Sequence, residues 1–370
     1  MNTRENFLAI LNYREYDQMP LVHFGYWRET LLKWAEEGHI SRDDAEHWRD
    51  GNAVNEKLNR LLGFDWGYTP VIGVNSGPLP PFPEETICRL PDGATHVRNG
   101  NGVILLHAPD AGGIPAEIEH LLCDRASFET HYRHRLQWLP ERVDSARLEQ
   151  LCNTEFDTPV GIFAGSMIGQ IRDIVGVVGL SYLMLDDPGL VDEMLDIWGE
   201  NSYRGIETIL KSGLRVDFIH YWEDICFKNG PLVMPDFFRE KIAPHYRRVS
   251  ELAGRYGVDL ISVDCDGMID ELIPAWLENG VNTMFPIEVG TWHASLLPWR
   301  EKYGKTLRGV GGMDKRVFAL DKSAVDAEIE RLKPIVAAGG YIPCPDHRIA
   351  PDAKWDMVRY YCDRMRRAFC

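Results

Sequence analysis

Residues 216–221 read VDFIHY, residues 260–263 read LISV, and residues 282–289 read NTMFPIEV. Between them lie two stretches of helical character, Pro235–Tyr256 with a proline at its start, and Met268–Glu278. Short apolar runs rich in β-branched and aromatic residues, separated by amphipathic stretches, are the pattern of βαβ units on a parallel sheet, whose strands are covered on both faces. Working outward, the alternation continues. Upstream are an apolar run at Val160–Ala164 and a helical stretch from Leu180 to Leu210, broken at Asp187-Pro188. Downstream come a helix at His293–Tyr303, a strand at Thr306–Val310, a helix at Ala324–Ala338, a strand at Tyr341–Pro343 and a helix at Trp355–Arg367. With Leu21–Phe24 near the start, the count approaches eight. The expected fold is a single-domain (β/α)8 TIM barrel over residues 1–370, with an N-terminal extension and a Pro/Gly-rich insertion from about Gly73 to Pro115. That insertion reads as irregular structure with a small hairpin covering one face, either a lid or a structural loop.

The chain has 370 residues and a formal charge of −16. A surface this acidic repels nucleic-acid phosphates and anionic lipid headgroups, so neither is an expected partner. The polar start, Met1-Asn2-Thr3-Arg4-Glu5-Asn6, and the lack of any apolar run of membrane-spanning length point to the cytoplasm. The eight cysteines form no CxxC pair, which argues against a zinc finger or a redox dithiol. Cys88, Cys123, Cys152, Cys226, Cys362 and Cys370 read as small hydrophobes.

In a barrel of this kind, chemistry gathers where strands end and loops begin. Five consecutive strand ends carry acid, thiol or imidazole. They are His220 with Trp222-Glu223-Asp224, Asp264-Cys265-Asp266-Gly267, Glu288, Gly311-Gly312-Met313-Asp314, and Cys344-Pro345-Asp346-His347. Each has a plainer reading: Asp266 and Asp314 as helix caps, Glu288 as the partner of an arginine, His220 as a satisfied core histidine. Cys265 and Cys344 follow strands and sit among acids. Two thiols with an acid or imidazole suit Zn2+, which takes S, N and O ligands. Gly309-Val310-Gly311-Gly312 lacks the Lys-Ser/Thr of a phosphate loop, and the chain has no HExxH.

These residues carry a resemblance. Arg4-Glu5-Asn6-Phe7, Asp17-Gln18-Met19-Pro20, Asp186-Asp187-Pro188, Glu223-Asp224 with Gly230-Pro231, Asp264-Cys265-Asp266-Gly267, Gly309 to Asp314, and Gly339-Gly340-Tyr341-Ile342-Pro343 with Asp346-His347 together resemble the uroporphyrinogen decarboxylase superfamily, and more closely its methyltransferase-like branch of corrinoid-linked methyltransferases. The resemblance implies a (β/α)8 barrel. It also implies zinc held by Cys265 and by Cys344, 79 residues on. Where the family has a histidine ligand, this chain has Val263, so Glu223, His220 and then His347 are the candidates for the third position. The implied activity is methyl transfer between a small methylated substrate, such as a methyl ether, a methylamine-type compound or a thiol, and a corrinoid (cobalamin) carried by a partner protein. Glu223, Asp264 and Asp266 are the candidate proton-handling residues. His23, Tyr26, Trp27, Trp222, Glu288, Asp314 and His347 are the candidate substrate-binding residues. A homodimer stays open.

The alternative enzyme is a decarboxylase of a tetrapyrrole or a smaller acid. The tetrapyrrole decarboxylase carries an Arg-Gln-Ala-Gly-Arg motif near its N-terminus, where this chain reads His23-Phe24-Gly25-Tyr26-Trp27-Arg28. A non-enzymatic corrinoid carrier would show a DxHxxG-type motif, which is not found.

Overall fold

The computed structural model describes residues 1–108 and 115–369. It is a mixed α/β structure around a parallel sheet. The strands that matter for the site are β1 (Val22–His23), β2 (Trp66–Gly67), β3 (Ile72–Gly73), β4 (Gly161–Phe163), β5 (Phe218–Trp222), β6 (Leu260–Asp264), β7 (Thr283–Phe285), β8 (Arg308–Met313) and β9 (Tyr341–Pro345). Seven of them form one sheet in the order β9-β8-β7-β6-β5-β4-β3, and β1 pairs with β2 separately. Every one of these pairings is parallel. A parallel bridge joins Tyr26, just after β1, to Ile349, just after β9, with Ile349 N–H donating to Gly25 O at 2.9 Å. Consecutive parallel strands with helices between them make the arrangement TIM-barrel-like.

Strand alternation sorts the core into two clusters. Val22, Trp66, Phe218, Leu260, Phe285, Val310, Ile342 and Cys344 pack together with Phe7, Ile10 and Leu11 of the first helix, Thr3–Leu11. Ile219, Tyr221, Ile261, Val263, Cys265, Met284 and Tyr341 belong to the second, larger cluster, which contains the helices. The first cluster is therefore the inner face of the sheet and the second its helix-covered face. The N-terminal helix is capped by Asn2, with Glu5 returning the bond to the Asn2 amide. Asn6 then accepts the amides of Asp17 and Gln18, and Arg4 pairs with Asp217 at 2.8 Å. The N-terminal motif thus fastens the extension to the sheet.

Several helices are shorter than their periodicity predicts. The 235–256 stretch contains a π-helical turn, Phe238–Ile242, before the regular helix Ala243–Arg255. The 268–278 stretch becomes helical only at Ile273. β7 stops at Phe285 because Pro286 has no amide hydrogen to continue the ladder. The insertion is larger than a hairpin. Glu85–Arg89, Thr95–Arg98, Val103–His107 and Ala116–His120 form a four-stranded antiparallel sheet, and His120 Nδ1 lies 3.0 Å from Ile174 O in the helix after β4. Residues 109–114 of the insertion, and Cys370, lie outside the described residues. Cys88, Cys123 and Cys152 are exposed rather than buried, because the insertion sheet and the segments that follow it are solvated. No helix among the described residues is long and apolar enough to cross a membrane.

Candidate active site

The strand ends sort their side chains by parity. In β5 and β6, Val263 pairs with Tyr221 and Asp264 with Trp222. In β6 and β7, Asp264 pairs with Phe285. Because partners in register share a face, Trp222, Asp264 and Phe285 stand side by side on the inner face. Glu223 and Cys265, one residue further along, point to the opposite, helix-covered face.

That parity separates the residues expected to bind zinc. Cys265 Sγ accepts the Ile225 amide at 3.4 Å within the helix-covered cluster, whereas Cys344 belongs to the inner cluster. Burial pushes both thiols well above the usual range. Glu223 is fully buried and its carboxylate is already saturated. It accepts Met167 N at 2.7 Å, Gly169 N at 3.0 Å, Ile168 N and Ser166 Oγ at 3.1 Å, and the Tyr246 hydroxyl. Burial raises its pKa, while the bonds from Tyr246 and the amides act against that shift. His220 Nδ1 meets Ser262 Oγ at 2.7 Å, and its ring packs edge-on to Tyr68 and Phe285. Among the described residues no three His, Cys, Asp or Glu side chains converge as metal ligands. Zinc on Cys265 and Cys344 with Glu223 or His220 does not fit this arrangement. Protein purified without chelator is expected to hold well under one zinc per chain, unchanged in Cys265→Ala. Metal analysis that finds a full equivalent, lost with Cys265, would contradict this geometry.

Two expected substrate contacts are also core residues. His23 is buried, with Nε2 2.8 Å from Asn59 Oδ1 and Nδ1 accepting the Gly25 amide at 2.8 Å, so both ring nitrogens are used. Tyr26 is buried among His23, Trp34 and Trp48. Burial pushes the His220 pKa down to about 3 and the His23 pKa down to about 4. These histidines are neutral when folded but gain a proton when unfolded below about pH 6.5. The stability they contribute is therefore complete above pH 6.5 and is lost as pH falls toward their folded values. Between pH 6.5 and pH 5 each accounts for about 2 kcal/mol. Urea unfolding at the two pH values should show this loss, and His220→Gln should remove about half of it. A variant with an undiminished pH dependence would refute the assignment.

Asp314 caps the short 3-10 turn Lys315–Ala319 and pairs with Arg316 at 2.7 Å, so the capping reading holds for it. Asp346 is buried and accepts Gly290 N at 2.8 Å and Lys315 N at 3.2 Å, tying together the loops after β7 and β8. Gly311 has a φ of +126°, and a Cβ there would meet Pro286 O at 1.6 Å. The glycine run in β8 therefore serves backbone packing.

What remains at the C-terminal ends of the strands is a compact group. Asp264 is 8% exposed, and among the described residues no hydrogen bond offsets the burial of its carboxyl. Burial first, then the nearby carboxylates of Asp266 and Asp224, push its pKa well above the usual range; Arg348 opposes this and Glu288 adds to it. Asp266 pairs with His347, Oδ2 to Nε2, at 3.2 Å. The remaining atoms of that pair, Asp266 Oδ1 and His347 Nδ1, are buried without partners. His347 stacks on Trp27 at 5.6 Å and tilts against Phe24 at 5.3 Å, and Phe24 meets Phe285 edge-on at 4.5 Å. Glu288 accepts Gly267 N at 2.6 Å and Thr291 Oγ1 at 2.7 Å, and burial followed by Asp266 raises its pKa. Gly267 has a φ of +83°, and a Cβ would meet Cys226 O at 2.5 Å, so only glycine lets this loop turn back over the site. Asp224 has a left-handed φ of +47°, and its pKa is raised by burial and Asp266. Arg172 reaches in from the helix after β4, 3.7 Å from Asp224 and over the Trp222 ring at 5.6 Å.

Asp264, Asp266, Glu288, Trp27, Trp222 and His347 are thus brought together, while Glu223, Cys265, His23, Tyr26, His220 and Asp314 are engaged elsewhere. Phe24, Phe285, Arg172 and Arg348 complete the group and were not singled out from the sequence. Alternation along β7 contains the signal for Phe285; nothing local marks Arg172. A cavity of about 730 Å3 lies at the opposite end of the strands, lined by Arg4, Asp217, Tyr256 and Leu260. There Arg4 and Asp217 satisfy one another, and Asp217 also accepts the Val160 amide, so the residues read as structural. The strand C-termini are the candidate site on chemical grounds.

No protein-family model matches the sequence, and no curated protein matches it. Among solved structures the chain is similar to the methyltransferase from Methanosarcina mazei, at 15% identity and a TM-score of 0.59, over 98% of this chain and 99% of that one. It is also similar to a B12-independent methionine synthase from Shewanella sp. W3-18-1 in complex with selenomethionine, at 11% identity and a TM-score of 0.49, over 95% and 98% of the two chains. The likeness to the methyltransferase is one of fold, and it extends over nearly the whole of both chains.

Proposed function

We propose that this protein is a methyltransferase that works at the mouth formed by Trp222, Asp264, Phe285, Asp266 and His347. The observation that carries the reading is Asp264, a carboxyl 8% exposed with no hydrogen-bond donor among the described residues, flanked in register by Trp222 and Phe285 at the C-terminal end of a barrel-like sheet. The fold shared with a methyltransferase and the resemblance in sequence motifs support the same class of reaction. The substrate is a small methylated compound. The acceptor is a corrinoid brought by a partner protein.

In such a transfer the bond between the methyl carbon and its heteroatom breaks, and the electron pair stays on the heteroatom. The charge that develops there must be offset, either by a proton or by positive charge that the substrate already carries. Asp264 supplies the first as a carboxylic acid and recognises the second as a carboxylate. Asp266, held by His347, biases Asp264 between those states. Trp27, Phe24, Trp222 and Phe285 provide an apolar wall against water. A decarboxylase of a polycarboxylate needs several free cations, whereas Arg348 is paired with Asp50 at 2.6 Å and Arg172, whose Nε alone lacks a partner, is paired with Asp173 at 2.5 Å. The test is formation of methylcobalamin from reduced cobalamin with a panel of methyl ethers, methylated ammonium compounds and thioethers, followed by its absorbance. Product that appears only with protein is expected. No product with any donor, and no demethylation of methylcobalamin in reverse, refutes the reading.

A further inference from the structure

We propose that a phosphate group, free or carried by a small ester, binds in a cavity at the N-terminal ends of β7 and β8, between Lys305 and Arg308. The inference is independent of the methyl-transfer reading, because this cavity lies at the opposite end of the strands from the mouth. Arg308 opens β8, and Asn282 stands immediately before β7. With Tyr13, Gly280, Lys305 and Thr306 they line a cavity of about 550 Å3. A space of this size takes a small molecule.

The first feature that points to it is positive charge gathered around one ring. The Arg300 guanidinium lies 5.0 Å from the centre of the Tyr13 ring, the Lys305 ammonium 5.2 Å and the Arg308 guanidinium 5.8 Å. The ring itself is fixed. Tyr13 has a left-handed φ of +56°, and its hydroxyl donates to Leu307 O at 3.0 Å. It also packs on the turn at Gly339-Gly340, where a Cβ on Gly340 would strike the ring. A ring face attracts cations but leaves their charge in place.

The second feature is the missing counter-charge. Among the described residues none of these three cations forms an ion pair with a carboxylate. Arg300 spends Nη1 on Ala338 O at 3.1 Å, and its Nε and Nη2 are buried without partners. Arg308 spends Nε on Leu11 O at 2.6 Å and Nη1 on Thr306 O at 3.4 Å. No hydrogen bond among the described residues uses its Nη2 or the Lys305 Nζ. Burial and then the charge of Arg308 lower the Arg300 pKa, with Tyr13 opposing; burial lowers that of Arg308, with Tyr13 and Asp259 opposing. Asp259 is thus felt from a distance rather than bonded. In a chain with a formal charge of −16, three neighbouring cations without a bonded carboxylate stand out. An anion between Lys305 Nζ and Arg308 Nη2 supplies what is missing, and Arg300 adds its field. A phosphate group, with a charge of about −1.5 to −2 at pH 7, matches three cations better than a singly charged carboxylate does. The cavity leaves room for an organic tail.

The probes are inorganic phosphate, glycerol 3-phosphate, glycerol and acetate, titrated into the full chain at low salt by isothermal titration calorimetry. Both phosphates are expected to bind at least tenfold more tightly than acetate, and glycerol not at all. Tighter binding of glycerol 3-phosphate than of phosphate identifies an ester as the ligand; equal binding identifies the free ion. Lys305→Glu should weaken both phosphates at least tenfold, and the fold should tolerate it because the Lys305 side chain is exposed. Arg308→Gln should weaken them similarly, and Arg308→Lys should retain part of the affinity. Should Arg308→Gln fail to fold by circular dichroism, since Arg308 also fastens Leu11, Lys305→Glu decides alone. Lys322 stands over the Tyr360 ring on the far side of β8, and Lys322→Glu makes the same change of charge there. That variant should bind phosphate as the parent does. No binding of either phosphate, acetate binding as tightly as phosphate, an affinity unmoved by Lys305→Glu, or one moved as far by Lys322→Glu overturns the inference.

Discussion

Asp264→Asn is expected to lower methyl transfer by about a hundredfold or more while leaving the protein as stable as the parent or more so. Asparagine has nearly the same shape, so the packing between Trp222 and Phe285 is kept. What it loses is the ability to gain and release a proton, or to carry a charge, next to the reacting heteroatom; positioned acids and bases of this kind contribute about 10²–10⁴ in rate. The stability side follows from the direction of the pKa shift. Asp264 is raised above its unfolded value by burial and by Asp266 and Asp224. Its favourable contribution is complete below the unfolded pKa and is lost as pH rises through the folded one, so at pH 8, far above the unfolded pKa, the buried carboxyl weighs against the fold. Removing it relieves that strain. The measurements are kcat/KM for the best methyl donor and the thermal midpoint at pH 8. A variant with parental kcat/KM, or one that loses activity only because its thermal midpoint collapses, would show that Asp264 does not act at the reacting centre.

Glu223→Ala is expected to remove about 4 kcal/mol of stability, since each buried donor left unsatisfied costs about 1–3 kcal/mol. The carboxylate draws together three consecutive amides of the loop after β4, the Ser166 hydroxyl and the Tyr246 hydroxyl. Alanine strands all of them at once in a fully buried place. Glu223→Gln keeps one acceptor oxygen but turns an NH2 toward the amides, so it should recover only part of the loss. The free energy of urea unfolding at pH 7 decides. A loss below about 1 kcal/mol would mean that the loop finds other partners. The same loop carries the helix that holds Arg172, so a partly folded Glu223→Ala protein should also lose order at the mouth.

The sequence motifs came through unevenly because each could serve packing as readily as chemistry. Asp264-Cys265-Asp266-Gly267 splits by parity: Asp264 enters the site, Cys265 turns to the helices, Asp266 pairs with His347, and Gly267 permits the turn. Gly309 to Gly312 serves close backbone approach. Glu223, first choice as a metal ligand, is the most fully hydrogen-bonded carboxylate of the group. In each case the residue type was legible but its neighbours were not, and the neighbours decide whether a polar group is occupied or free.

By itself the sequence determined the alternation of parallel strands and helices, because apolar runs of strand length separated by amphipathic stretches have few other ways to bury their faces. It also determined that acids and imidazoles would gather at strand ends. The four-stranded insertion sheet was legible in its turns, Pro91-Asp92-Gly93 and Asn99-Gly100-Asn101-Gly102, which are strong hairpin signals, although the richness in proline and glycine drew the reading toward irregular structure. Only the tertiary structure decided which strand-end residues meet. A shift of one residue along a strand moves a side chain to the other face, and a partner far away in the chain, such as Tyr246 for Glu223 or Trp27 for His347, determines whether that side chain is spent on the fold or left for a ligand.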